Sequence, residues 1–375
     1  MAIIEYLWDW IIPFLIVLTV LVFVHELGHY LIARRVGIRI ETFSIGFGPE
    51  LFGRTDRHGT RWKFSAIPLG GYVKMFGEHD FEDEDEKHVL TPEEEAVSFQ
   101  GKSVGRRSAV VVAGPLANFL FAIVALAILF AVAGLPTPMA GVGSVQPDSA
   151  AARAGFKQGD LIVDIDGQPV RWFDEVRTIV RDRPGQPLRF DIVRDGEHAT
   201  LTAVPTATPA GGNERGEVGL LGITPDPAQV GYERLNPLQA AGVAVQRTYQ
   251  LTAQILGALW QIITGARTTG ELGGPIRIAQ LSGQMASDGA VNFILFMAAL
   301  SLNLGLINLL PIPMLDGGHL AFYAVEAVRG RPLNKRIQEY GFRIGLAFVL
   351  FLMIFATWND LMNLKVFEFL RELIS

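Results

Sequence analysis

The chain has 375 residues, half of them hydrophobic, no cysteine and a formal net charge of −6. Without cysteine there are no disulfides, no thiol nucleophile and no Cys-held zinc, so any transition metal must be held by His, Asp or Glu. The acidic excess has one source: between Glu78 and Glu95 ten acids stand against Lys87 alone. Such a run is a solvated segment. The remainder is slightly basic and offers no case for nucleic-acid binding.

Met1 to Asp9 carries Glu5 and Asp9 but no Lys or Arg, unlike the charged start of a cleavable secretory leader. The apolar run that follows predicts a first membrane span over residues 10–33, with Trp8 and Trp10 at one interface. Inside it lies His25-Glu26-Leu27-Gly28-His29. Residues four apart share a helix face, so His25 and His29 can reach one ion, with Glu26 beside it as a base toward water. Ionisable groups within a span are costly and usually functional. A hydrolytic metal site inside the membrane is the expectation. Arg34, Arg35 and Arg39 follow directly, which puts this end of the span in the cytoplasm and the N-terminus outside.

Residues 37–77 read as β-structure. Glycines recur at 46, 48, 53, 59, 70, 71 and 77, and Trp62, Phe64 and Ala66 alternate with Arg61, Lys63 and Ser65. Backbone of this kind at membrane depth must be sheltered by protein or water, and an open strand edge could pair with an unwound substrate. His79 and His88 in the acidic run are solvated bystanders. A second span is expected from Ser108 to Gly134, interrupted by Gly114, Pro115 and Asn118, which suit close helix approach and hydrogen bonding to a neighbour or to the site.

From Pro136 the composition changes to that of a soluble α+β module. Strands are expected at 142–145, 161–165, 188–193 and 199–204, and helices at 150–154 and 173–181, with Asp195-Gly196 as a hairpin turn. Residues 205–234, rich in Gly, Pro and Thr, read as linker. The pattern over 237–264 is helical, but Gln239, Gln246, Arg247, Gln250 and Gln254 dilute it, so an interfacial amphipathic helix is expected. A Gly-rich loop would occupy 265–290. The third span starts near Val291 and ends in Asn308-Leu309-Leu310-Pro311-Ile312-Pro313-Met314-Leu315-Asp316-Gly317-Gly318-His319. Two prolines two apart break the helix, and the freed backbone needs a cavity. Asp316, the one carboxylate here, is the best third ligand; His319 and, further on, Glu326 are alternatives. After Arg329, Arg331, Lys335 and Arg336 a last span runs from Phe342 to Trp358, followed by an amphipathic tail over 361–374.

The segments thus read as 1–36, first span; 37–106, cytoplasmic-side β-element and acidic loop; 107–135, second span; 136–225, soluble module; 226–290, linker and amphipathic helix; 291–328, third span; and 329–375, fourth span and tail. The stretches His25–His29, Ile45–Gly48, Ile67–Met75, Lys102–Gly105, Ala113–Pro115, Ala117–Phe119 and Asn308–His319 together resemble the site-2 protease family of intramembrane zinc metalloproteases. The resemblance implies a multi-pass α-helical membrane protein of about four spans, with a membrane-re-entrant β-element and one extracytoplasmic PDZ domain. It implies that His25, His29 and Asp316 hold one zinc ion per chain and that Glu26 is the general base. Asn308, Pro311 and Pro313 would help hold substrate, as would the β-element at Gly46, Gly48, Gly70 and Gly71.

Expected partners are membrane lipid and single-span proteins already trimmed on the outside, such as anti-sigma factors, with remnant signal peptides as further substrates. The setting would be a bacterial inner membrane, with both termini and the PDZ domain outside the cytoplasm. Enteric members carry two PDZ domains in tandem, whereas this chain has room for one. The alternatives are a PDZ-containing membrane receptor or scaffold with a structural metal site, and a divalent-metal transporter, for which four spans without an inverted repeat make a thin pathway.

Overall fold

The structure, a computed structural model, describes residues 2–78, 90–209, 217–266 and 273–363. Most of the acidic run, with His79 and His88, and the tail beyond residue 363 lie outside the described residues. In chain order the first elements are α1 (Ala2–Arg35), β1 (Ile40–Thr55), β2 (Arg61–Met75), α2 (Pro92–Val97) and α3 (Val104–Val132). Next come β3 (Leu135–Pro138), β4 (Val142–Val145), α4 (Ala150–Ala154), β5 (Leu161–Ile165), β6 (Gln168–Pro169), α5 (Phe173–Arg181), β7 (Leu188–Arg194) and β8 (Glu197–Ala203). Then follow β9 (Thr206–Pro209), β10 (Glu217–Leu220), β11 (Ile223–Pro225) and β12 (Val230–Glu233). The chain continues with α6 (Pro237–Ile263), α7 (Pro275–Ser287), α8 (Ala290–Asn308), α9 (Asp316–Arg329) and α10 (Lys335–Asn363). Two compact units emerge: Met1–Ile128 with Ala241–Ser375, and Leu129–Ala240.

Among the described residues, four helices are long and apolar enough to cross a membrane: Trp8–Arg35, Val104–Val132, Ala290–Asn308 and Arg336–Met362. Helix α6, although 27 residues long, is not among them, because its glutamines and Arg247 dilute the apolar run. Strands β1 and β2 are long and bent, and the bends change what pairs with what. Phe43 lies beside both Val73 and Trp62, and Ser44 beside both Tyr72 and Lys63. Residues 42–45 are thus flanked on both sides by β2, which leaves 71–75 as the outer run. Asp56 ties this element to α1: it accepts from Tyr30 Oη (3.3 Å), Trp62 Nε1 (3.1 Å) and the His58 amide (2.8 Å). Burial works against its charge, but these donors and the Thr60 amide hold its carboxyl below the ordinary value.

Helices α3 and α9 are joined by a largely buried ion pair, Arg107 Nη2 to Glu326 Oε1 at 2.6 Å, with the guanidinium also over the Tyr323 ring. Removing one partner of such a pair strands the other charge. Arg107→Ala is therefore expected to destabilise the detergent-solubilised protein by about 3–5 kcal/mol, read as a lowered unfolding midpoint. An unchanged midpoint would show that water reaches Glu326.

The second unit carries its own core. Ile162, Ile165, Val176, Leu188, Phe190, Ile192 and Leu221 are all buried, and each fully buried side chain of this kind contributes about 1.5–3 kcal/mol. Leu188, Phe190 and Ile192 alternate along β7, Ile162 and Ile165 come from β5 across a register shift, Val176 from α5, and Leu221 from the link between β10 and β11. At its edge Arg194 grips the wholly buried Asp160 through two hydrogen bonds, at 2.6 and 2.8 Å.

Two expectations are corrected. The stretch 205–234 is not a linker: β9 pairs with β10, β11 with β4 and β12 with β3, so the module closes on strands well beyond 225. These strands are three or four residues long and rich in Gly, Pro and Thr, so they lack an alternating apolar pattern. Nor is 265–290 simply a loop, because α7 occupies 275–287. Its first turn is capped from another helix: Asp360 on α10 accepts from the Gly274 amide (2.9 Å) and the Arg277 amide (3.0 Å).

Candidate metal centre

Three donor atoms from two distant parts of the chain converge in the first unit. The Nε2 atoms of His25 and His29 stand 3.2 Å apart, and Asp316 Oδ2 lies 3.1 Å from the first and 3.5 Å from the second. The histidines come from one face of α1. Asp316 arrives as the first residue of α9, after the chain breaks at Leu309–Leu315, where Met314 takes a φ of 89°. Helix α3 closes the third side at Gly114, where a Cβ would sit only 2.2 Å from His29 Nε2 and 2.9 Å from His25 Nε2. Helix α1 can come this near because Gly28 in turn packs on the Ala113 carbonyl.

These residues fit a zinc ion. A tetrahedral ion with bonds of about 2.0–2.2 Å holds its donors roughly 3.3–3.6 Å apart; the His29–Asp316 spacing of 3.5 Å falls inside that range, and the other two, 3.2 and 3.1 Å, lie just short of it. Asp316 Oδ2 is buried and lies within 3.5 Å of both imidazole nitrogens, so two imidazole edges and one carboxylate oxygen face one another. Among the described residues no other group of three His, Asp or Glu side chains converges in this way. His29 Nδ1 donates to the Val110 carbonyl at 2.9 Å, leaving its Nε2 with a lone pair aimed at the cluster.

The cluster opens into a cavity of about 280 Å³. Glu26 lines it, with the Val73 backbone amide facing its carboxylate. Asn308 lines it too, together with His319, whose ring packs on Phe342 with centroids 5.0 Å apart. His319 stands outside the converging trio, and Glu326, the other alternative ligand, is committed to Arg107. Pro311, Pro313, Gly46, Gly48, Gly70 and Gly71 do not line the cavity. Gly71 lets β2 approach α1, since a Cβ there would meet Val22 and Glu26, and Gly70 makes room for the Phe47 ring. The sequence reading passes over Tyr72, Val73, Met75, Phe99, Val111, Met314 and Tyr323 as wall residues. Their apolar character looks like ordinary core, and only the convergence of β2, α3 and α9 turns it into a lining.

A zinc-type donor set with an adjacent carboxylate, placed among apolar helices of membrane-spanning length, defines a metallohydrolase of the membrane. Comparison with known proteins agrees. The chain matches peptidase family M50 over residues 13–352, and it belongs to that family, as a zinc metalloprotease.

A protein of Rhizobium meliloti (strain 1021) named as a zinc metalloprotease is 48% identical over 356 residues, covering 93% of this chain and 95% of that one. The regulator of sigma-E protease RseP of Salmonella typhimurium (strain 14028s) is 35% identical, covering 96% of this chain and 99% of its own. That alignment runs over 454 positions against 375 residues here, so the relative contains inserted residues that this chain lacks. Among solved structures, the PDZ domain of an SdrC-like protein of Listeria monocytogenes is 24% identical, covering 23% of this chain and 84% of that one, with a TM-score of 0.19.

Proposed function

We propose that this protease hydrolyses peptide bonds within the membrane-spanning segments of single-span proteins that have already lost their outer part, in a bacterial inner membrane. The observation that carries this reading is the meeting of His25, His29 and Asp316 with Glu26 between apolar helices. Substrates of this class are anti-sigma factors and remnant signal peptides. The arginines after the first and third spans favour a site on the cytoplasmic side, with the Leu129–Ala240 unit outside. That unit has the short strands and two helices of a PDZ domain, and we assign it the selection of trimmed substrates.

His25, His29 and Asp316 would hold the zinc ion, which supplies a Lewis acid for the scissile carbonyl and for water. Glu26 takes the proton from the attacking water and returns it to the leaving amine nitrogen. A helical substrate keeps its carbonyls in internal hydrogen bonds, so it must unwind before attack. The outer run of β2, residues 71–75, offers a strand edge on which the extended form can pair, beside Glu26. Asn308, which lines the cavity, would hold the substrate backbone.

The test uses purified full-length protein and a tagged, pre-trimmed single-span substrate in detergent, with zinc measured in each sample. Wild type is expected to hold zinc and cleave. Asp316→Ala is expected to lose both, because two histidines alone make an incomplete site. Equal zinc in the two proteins would remove Asp316 as a ligand.

A further inference from the structure

Asn118 is wholly buried in α3, one helical turn after Gly114. Its Nδ2 stands 3.1 Å from His25 Nδ1, while its Oδ1 has no hydrogen-bond partner. Ser301 Oγ on α8 donates to the Asn118 backbone carbonyl at 2.9 Å, which pins this turn of α3. The side-chain amide therefore faces a histidine of the metal centre from behind, on a fixed backbone.

A neutral imidazole carries one proton, and the partner of one nitrogen decides where it sits. With Nδ2 toward His25, the amide donates to Nδ1, so the proton belongs on Nε2. There it meets Asp316 Oδ2 at 3.1 Å. This arrangement suits a histidine that is not ligating. A ligating His25 needs a bare Nε2, hence a proton on Nδ1, hence an acceptor behind it. Asn118 Oδ1 becomes that acceptor when the amide turns over about its last side-chain bond, because O and N exchange places with almost no change of shape. His29 has no such choice: a backbone carbonyl can only accept, so Val110 keeps it in the ligating form.

We propose that Asn118 is a positioning residue whose amide turns over as zinc binds, shifting His25 from its Nε2–H to its Nδ1–H form. The histidine stays neutral and only the position of its proton changes. An amide serves both forms because it carries a donor and an acceptor, whereas an aliphatic side chain serves neither. A carboxylate serves the ligating form alone. The inference rests on the assignment of His25, His29 and Asp316 as ligands.

The experiment measures zinc affinity by chelator competition on full-length protein in detergent, for wild type, Asn118→Leu, Asn118→Asp and His29→Ala. The unfolding midpoint of each metal-stripped protein is recorded alongside. Asn118→Leu, nearly the same shape, is expected to bind zinc about 10–100-fold more weakly with its midpoint unlowered. Asn118→Asp keeps the acceptor and is expected to bind within about threefold of wild type, or more tightly. Wild-type affinity in Asn118→Leu, or equal losses in Leu and Asp, would overturn the proposal and leave Asn118 a packing residue. His29→Ala separates the two layers. If it binds zinc as wild type does, the ligand assignment itself fails; if it loses zinc while Asn118→Leu does not, only the role of Asn118 fails.

Discussion

Glu26→Gln is expected to stop peptide hydrolysis while the protein keeps its zinc. The amide has the shape of the carboxylate and leaves all three donors, His25, His29 and Asp316, untouched. What it cannot do is take a proton from water. Loss of a general base typically costs about 10²–10⁴ in rate. Among the described residues, the other titratable side chains around the cavity, besides His25, His29 and Asp316, are Tyr72, Glu78, His319 and Tyr323, and none of them adjoins one of that trio in the chain as Glu26 does. The measurement is the cleavage rate of a tagged, pre-trimmed single-span substrate, with zinc stoichiometry determined on the same preparation. Cleavage at the wild-type rate would remove Glu26 from the chemistry. Loss of zinc together with cleavage would instead make it part of the binding site.

The second large effect is expected from a single methyl group. Gly114→Ala would place a Cβ 2.2 Å from His29 Nε2 and 2.9 Å from His25 Nε2, in the space toward which the donors point. Helix α3 cannot retreat cheaply, because Gly28 of α1 is seated on the Ala113 carbonyl and Gly305 of α8 on the Pro115 carbonyl. Overpacking of this kind costs about 1–3 kcal/mol in an ordinary core. Here the strain falls on the ligands, so zinc and cleavage are both expected to be lost. Gly105→Ala, on the same helix with nothing within 4 Å of its Cβ, is the control and is expected to keep both. If Gly114→Ala binds zinc normally, the three helices do not pack as described.

The chemistry of the site was legible because it is encoded locally. His25 and His29 are one helical turn apart, Glu26 lies between them, and the surrounding apolar run says where the motif sits. Asp316 stands out in the sequence as the one carboxylate beside a stretch where two prolines break the helix, and the fold brings its Oδ2 within 3.5 Å of both histidines. The strands and helices from 142 to 204 were likewise readable, since their alternation and their turns lie within a few residues of each other.

What the local pattern could not supply is anything whose partner is far away in the chain. Helix α7 is capped by a carboxylate 83 residues downstream of Arg277, and β11 and β12 are strands because β4 and β3 pair with them. Residues 42–45 touch two separate runs of β2, an arrangement made by the bends in both strands. The same holds within the metal centre. Sequence by itself points to His25, His29 and Asp316 as candidate ligands and to Glu26 as the candidate base. Tertiary structure alone brings Gly114 against the imidazoles, commits Glu326 to Arg107 rather than to the metal, and turns the amide of Asn118 toward His25. Side-chain periodicity records which face of an element is buried, but not which atom of another element it will meet.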